Sequence, residues 1–229
     1  MNASIAINNR SDRRTGPFSL TLLFSNFPQR IIKKGETLMK NNLSKGYIFY
    51  LVEGIVKNLS YHAEKGKEVV NGFHTKGELL NLEVWSKNEA IIPTLKGSST
   101  KAIIKIIPIE QFRELVWKNQ GLQQLVFTNL SNKISKSQER LQRLLLSKSS
   151  QRVKQFLVDY TLEIGQRVGY EHVIKKPFTH EEMGSLSDTS RQTVTTVLNE
   201  LKAKNLIHFT RRYILIRDLE QLIIEAKKS

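Results

Sequence analysis

The chain contains no cysteine. That excludes disulfides, thiolate nucleophiles, cysteine-held iron–sulfur clusters and cysteine-ligated zinc. It also fits a reducing cytosol. Long apolar runs are missing as well: nothing in the sequence approaches the roughly 18 apolar residues that carry a helix across a bilayer. The opening stretch MNASIAINNRSDRRTG lacks the apolar core of a secretory signal. It reads as a disordered basic tail over residues 1–17, so a cytoplasmic protein without membrane association is expected. There is no glycine-rich phosphate loop, no nucleophile motif and no paired set of metal ligands. His62, His74, His172, His180 and His208 are dispersed without chelate spacing. An enzyme is therefore not expected, nor is a resident metal or cofactor.

What is present is a chain of 229 residues, 39% of them hydrophobic, enough for one or two domains with real cores. Lys and Arg number 36 against 21 Asp and Glu, giving a net charge of +15. Such an excess points to a polyanionic partner: nucleic acid, a membrane surface or an anionic ligand. The charge is not gathered in one place. Residues 1–148 hold 23 basic and 11 acidic residues (net +12), and residues 149–229 hold 13 and 10 (net +3). Bulk charge alone does not locate the partner's site.

The two halves follow different periodicities. From about residue 27 to 110, YIFYLV, IVKNLSY, KEVVNGF and KAIIKII are short β-branched and aromatic runs. Turn signals at Gly35, Gly54, Gly66 and Gly77 separate them, as in a sandwich or barrel. Helical spacing begins near residue 109. GLQQLVFTNLSNKISKSQERLQRLLLSK then runs about four heptads without proline, with Leu122, Val126, Leu130, Ile134, Leu141 and Leu145 near one stripe. That seam is expected to pair with a second copy of the chain. SKSSQR, residues 147–152, is a hinge candidate. QRVKQFLVDYTLEIGQ then reads as a helix, HVIKKPF as a strand, residues 179–204 as two helices around a turn, IHFTRRYILI as a hairpin and DLEQLIIEAKK as a closing helix.

The two-helix element carries the chemistry. Thr179 and Glu182 form a T-x-x-E capping box. Asp188 occupies the tight turn, and Gly184 allows close approach of the next helix. In that second helix Val194, Val197, Leu198 and Leu201 form the buried face. Arg191, Gln192, Thr195, Thr196 and Asn199 fall on the other side. Arg grips guanine O6 and N7, Gln suits adenine, and a threonine methyl meets the thymine methyl. These side chains cluster where a helix-turn-helix meets the major groove. Ser190 and Thr179 are placed to bind phosphates, and Arg211 and Arg212 tip the following hairpin as a wing.

At SRQTVTTVLNELKAKNLI the chain resembles the Crp/Fnr family, whose pattern there is S-R-E-T-V-x-R-x-L-x-x-L-x-x-x-x-L-I. KKGETLMKNN, YIFYLVEGIVK and KGELL resemble successive turns of that family's cyclic-nucleotide-binding β-roll, and the likeness spans nearly all of residues 25–217. The resemblance implies an α+β chain in three structured parts: a jelly-roll-like β-roll sensor over 18–118, a dimerisation helix and hinge over 119–148, and a winged helix-turn-helix over 149–229. It implies a homodimer on a pseudo-palindromic site in double-stranded DNA, with Leu122, Val126, Leu130, Ile134 and Leu141 at the dimer interface. RNA polymerase is a further partner of such a regulator, though no segment marks the contact.

Three departures from the pattern matter. Gln192 replaces the family's glutamate and Thr196 its second arginine, so a changed operator is expected. In the sensor, Gly77 and Glu78 match the pair that contacts the ribose of a cyclic nucleotide. The Arg-Ser/Thr pair that holds the cyclic phosphate has no counterpart, because no arginine lies between Arg30 and Arg113. Ile92-Pro93 aligns there instead, and neither residue can pair a phosphate. Lys87 and Lys96 offer only point charges. Cyclic AMP is therefore not the expected effector, which stays unidentified, and Gly77-Glu78 reads as a structural turn. A rival reading makes the chain a small-molecule sensor whose C-terminal half makes only protein contacts. Arg191 and the basic wing speak against it.

Overall fold

The computed structural model describes residues 20–39, 46–62, 67–85, 93–175 and 178–228. The expected basic tail over residues 1–17, Gly66 and Lys87 lie outside them. In chain order, α1 (Leu20–Leu23) precedes β1 (Gln29–Lys33), β2 (Thr37–Met39), β3 (Tyr47–Glu53), β4 (Val56–His62), β5 (Lys67–His74), β6 (Leu79–Leu80), β7 (Thr94–Gly97) and β8 (Lys101–Pro108). Helices α2 (Ile109–Lys118), α3 (Gln120–Leu146) and α4 (Ser149–Ile164) follow. The remainder is β9 (Gln166–Val168), β10 (Glu171–Lys175), α5 (His180–Leu186), α6 (Arg191–Ala203), β11 (Ile207–Phe209), β12 (Tyr213–Ile216) and α7 (Leu219–Lys227).

The N-terminal strands form two antiparallel four-stranded sheets, ordered β1-β8-β3-β6 and β2-β7-β4-β5. Strand β3 shows why YIFYLV is an unbroken apolar run. Its Phe49 and Leu51 join Ile32, Leu38, Leu95 and Ile104 in one core. Its alternate residues Ile48 and Tyr50 join Phe24, Ile107, Phe112 and Val116 in a second core, beneath the helices. A strand covered on both faces loses the apolar–polar alternation of a half-exposed one.

That second core corrects part of the expected dimer seam. Leu122 and Val126 are 0% and 7% exposed, packed among Phe112 and Val116 of the same chain. The first turns of α3 lie on the chain's own roll, so these two side chains have no face left for a partner. Beyond them Leu130, Ile134 and Leu141 are exposed, together with Phe127 and Leu144. Positions 127, 130, 134, 137, 141 and 144 repeat at alternating three- and four-residue steps, the a/d spacing of a coiled coil. Ser137 is the polar member of that series.

Helix α3 ends at Leu146 and α4 begins at Ser149, leaving extended Ser147 and Lys148 between them. The α4 helix ends at Ile164, with Gly165 as its C-cap, two residues short of the expected end. A hairpin not anticipated from the sequence follows, β9 on β10, turning through Gly169 at φ +63°. β10 continues into β12 and β11. This sheet and helices α4 to α7 enclose the C-terminal core of Val153, Leu157, Ile174, Met183, Val197, Leu198 and Ile216, with further apolar side chains.

The two halves are joined by more than the hinge. Phe73 of β5 packs into the C-terminal core, 5.0 Å from Phe178 and 6.4 Å from Tyr160 between ring centroids. Lys57 of β4 pairs with Glu182 of α5. Arg140 of α3 donates to both carboxylate oxygens of Asp188 at 2.8 and 3.0 Å, to Ser185 O at 3.1 Å and to Asn71 O at 3.0 Å. Burial works against the Arg140 charge, but the Asp188 bonds outweigh it and raise its pKa above the ordinary arginine value. Among the described residues no helix is long and apolar enough to cross a membrane.

Candidate nucleic-acid interface

Two short caps set the geometry of the helical pair. The Thr179 hydroxyl accepts the Glu182 backbone N–H at 3.2 Å, while the Glu182 carboxylate accepts the Thr179 N–H at 2.7 Å. The box fixes the start of α5. Asp188 holds φ +52°, the left-handed conformation the turn demands. A Cβ on Gly184 would stand 2.8 Å from Thr189 O, so only glycine permits this approach of the two helices. Ser190 then caps α6, its hydroxyl accepting the Thr193 N–H at 3.1 Å.

From there the sequence decides which side faces out. Val194, Val197, Leu198 and Leu201 are buried. Arg191, Gln192, Thr196 and Asn199 are exposed on the opposite side. Thr195 is half-buried, and its hydroxyl is engaged: it lies 3.0 Å from Arg191 O and 3.1 Å from Nδ1 of His180. Arg211 and Arg212 are exposed at the tip of the β11–β12 hairpin. That tip is tied by Thr210, whose hydroxyl accepts the backbone N–H groups of Arg212 and Tyr213 at 3.1 and 3.2 Å. The structure thus brings Ser190, Arg191, Gln192, Thr195 and Thr196 together at the start of one helix, with Thr179 capping the helix before it and the two arginines on the wing after it.

The other candidate pair lies far from this surface in the chain. Gly77 sits at φ +92°, and Glu78 closes the turn it makes. Oε1 of Glu78 accepts the Thr75 N–H and hydroxyl, both at 3.0 Å, and Oε2 meets His74 Nδ1 at 2.9 Å. Burial pushes this carboxyl up, but His74 and Thr75 outweigh it and hold the group below the ordinary carboxylate range. Lys96 is paired with Glu68 at 2.7 Å. Pro93 leads into β7, and Ile92 lies outside the described residues. Among the described residues no group of three or more metal-ligating side chains occurs.

Sequence reasoning missed His180, Arg140, Phe127 and Leu144. The last two were legible in the three-four spacing of α3. The first two act across elements distant in sequence, and no local pattern marks them.

The chain is thus a β-roll joined by a long helix to a winged helix-turn-helix. Residues 151–223 match the Crp-like helix-turn-helix domain. The fumarate and nitrate reduction regulatory protein of Yersinia pestis is 23% identical over 193 residues, covering 83% of this chain and 75% of its own. Two solved structures share the fold. A CooA mutant from Carboxydothermus hydrogenoformans has a TM-score of 0.73 at 18% identity, with 93% of each chain covered. A transcriptional regulator of the CRP/FNR family from Thermus thermophilus has a TM-score of 0.70 at 19% identity, covering 88% of this chain and 99% of that one. Residues 151–223 thus carry a Crp-like helix-turn-helix domain, and the chain as a whole is similar to transcription regulators of the Crp/Fnr type. Its relatives are regulators, not enzymes.

Proposed function

We propose that the protein works as a homodimer that reads a pseudo-palindromic DNA site through α6 and does so without cyclic AMP. The observation that carries the base-reading role is the face of α6. Arginine, glutamine and threonine are exposed in its N-terminal half and asparagine just beyond, while Val194, Val197, Leu198 and Leu201 are buried. An ordinary surface helix gains nothing from such a face, because threonine and asparagine are only middling helix formers. Arg191 and Gln192 would make bidentate contacts with base edges, and Thr195 and Thr196 would contact bases beside them. Ser190 and Thr179 would meet phosphates, and Arg211 and Arg212 would follow the backbone on the wing.

Dimerisation rests on the exposed apolar series of α3, with Leu130, Ile134 and Leu141 at its centre. A coiled-coil seam of this kind is stable only when a second helix covers it. Independence from cyclic AMP rests on the sensor. The Glu78 carboxylate already makes three bonds within the turn, so a ribose would compete with groups of the protein for it. RNA polymerase and an unidentified effector remain partners to be sought by experiment. The test is salt-dependent binding to a selected duplex, with light scattering on the free protein. A dimer whose affinity falls steeply with salt supports the reading, since phosphate neutralisation releases counterions. A monomer, or salt-insensitive binding, contradicts it.

A further inference from the structure

Thr195 has one hydroxyl proton, and the protein itself uses it. Two acceptors stand within reach: Arg191 O at 3.0 Å, four residues back on the same helix, and Nδ1 of His180 at 3.1 Å on α5. If Nδ1 carries a proton, His180 donates to Thr195 and Thr195 donates to Arg191 O. If it does not, Thr195 donates to His180. In either arrangement a base acceptor could take that proton only by displacing one of these bonds. Thymine O4, guanine O6 and N7, and adenine N7 all need a donor. Serving them would cost the protein a bond that it already makes.

The methyl group can meet a base without that competition. A helical threonine divides between two rotamers because its oxygen can bond the carbonyl one turn back. Here a second partner on another helix favours one of them. The His180 ring is itself held edge to face against Phe209 of the wing, 6.0 Å between centroids. Lys202 lies over the same Phe209 ring at 5.6 Å. Wing, first helix and recognition helix thus converge on one side chain, which lies a single turn beyond Arg191.

We propose that Thr195 reads thymine through its methyl group, and that His180 is the positioning residue that holds it in that role. This rests on α6 being the base-reading helix. Thymine differs from uracil only by the C5 methyl, so the contact has a direct probe.

The experiment uses the full chain and an operator obtained by selection. Each thymine is replaced in turn by deoxyuridine, and affinity is read by fluorescence anisotropy. One thymine position is expected to lose about fourfold on losing its methyl. Thr195→Val, which keeps a methyl and lacks the hydroxyl, should preserve that thymine-to-uracil ratio. Thr195→Ser, which does the reverse, should bring it to one. His180→Phe retains a ring against Phe209 but no hydrogen bond, and it should lower the ratio while leaving the Arg191-dependent preference intact. Loss of the ratio in Thr195→Val, or its survival in Thr195→Ser, overturns methyl reading. An unchanged ratio in His180→Phe overturns the role of His180. If no thymine is sensitive while Arg191→Ala still abolishes preference, this inference alone fails. If Arg191→Ala also changes nothing, the base-reading role of α6 fails with it. Circular dichroism of each variant confirms that the fold is retained.

Discussion

At Asp188 one residue does two things. It adopts the left-handed conformation of the helix-turn-helix turn, and its carboxylate takes both arms of Arg140. Glycine would serve the first purpose and not the second. Arg191 has a narrower task. Its replacement by alanine should cost about 1–3 kcal/mol of preference for the selected site over a scrambled one. Competition binding measures this, and an unchanged preference would remove it from the base readers. Gly184→Ala should destabilise the protein by about 1–3 kcal/mol, because the added carbon meets backbone rather than a yielding side chain. Thermal unfolding reads that directly. Glu225 is a buried carboxylate whose pKa its bonds from Lys204 and Lys228 lower to about 2, from 4.5 in the unfolded chain. The ionised form therefore stabilises the fold fully above about pH 4.5, and its contribution is lost as the pH falls toward 2. Glu225→Gln should give a flatter stability profile across that window in chemical denaturation at stepped pH.

At the scale of elements, what was legible in the sequence depended on what covers each face. The α6 helix was readable residue by residue, since Val194, Val197, Leu198 and Leu201 are buried by their own unit at helical spacing. Its caps and turn were readable too, because Thr179, Glu182 and Asp188 act locally. Helix α3 was harder. Periodicity shows that Leu122 and Leu130 share a broad apolar stripe, but not that the chain's own roll covers the first and leaves the second open. The β9–β10 hairpin was hidden because Gln166 and Arg167 carry no strand signal. The contacts of His180 and Arg140 were out of reach, since each spans elements whose relative placement only the fold defines. For the seam, replacing Leu130 and Ile134 together by glutamate should yield a monomer in light scattering, whereas an intact dimer would move the interface elsewhere. For the docked arrangement, Arg140→Ala removes four hydrogen bonds that tie α3 to Asp188, Ser185 and Asn71. Faster proteolysis at Ser147–Lys148 is the expected result, with an unchanged rate meaning that Phe73 and Lys57 suffice.

Across the whole molecule the charge and the recognition chemistry are separated. Most of the net charge lies in residues 1–148, yet the groups proposed to face bases lie on one helix near the other end. General attraction to DNA and discrimination among sequences should therefore respond to different mutations. Arg212→Ala should weaken all duplexes alike and lower the slope of affinity against salt by about one, while Arg191→Ala should act mainly on preference. The N-terminal roll uses Glu78 within its own turn, and the proposed reading has DNA binding proceed without a cyclic nucleotide. The most direct measurement is selection of duplexes from a random pool by the purified full chain, with and without cyclic AMP. A pseudo-palindromic site enriched equally in both conditions is the predicted result. Enrichment that needs cyclic AMP, or no enriched site in either condition, would contradict it.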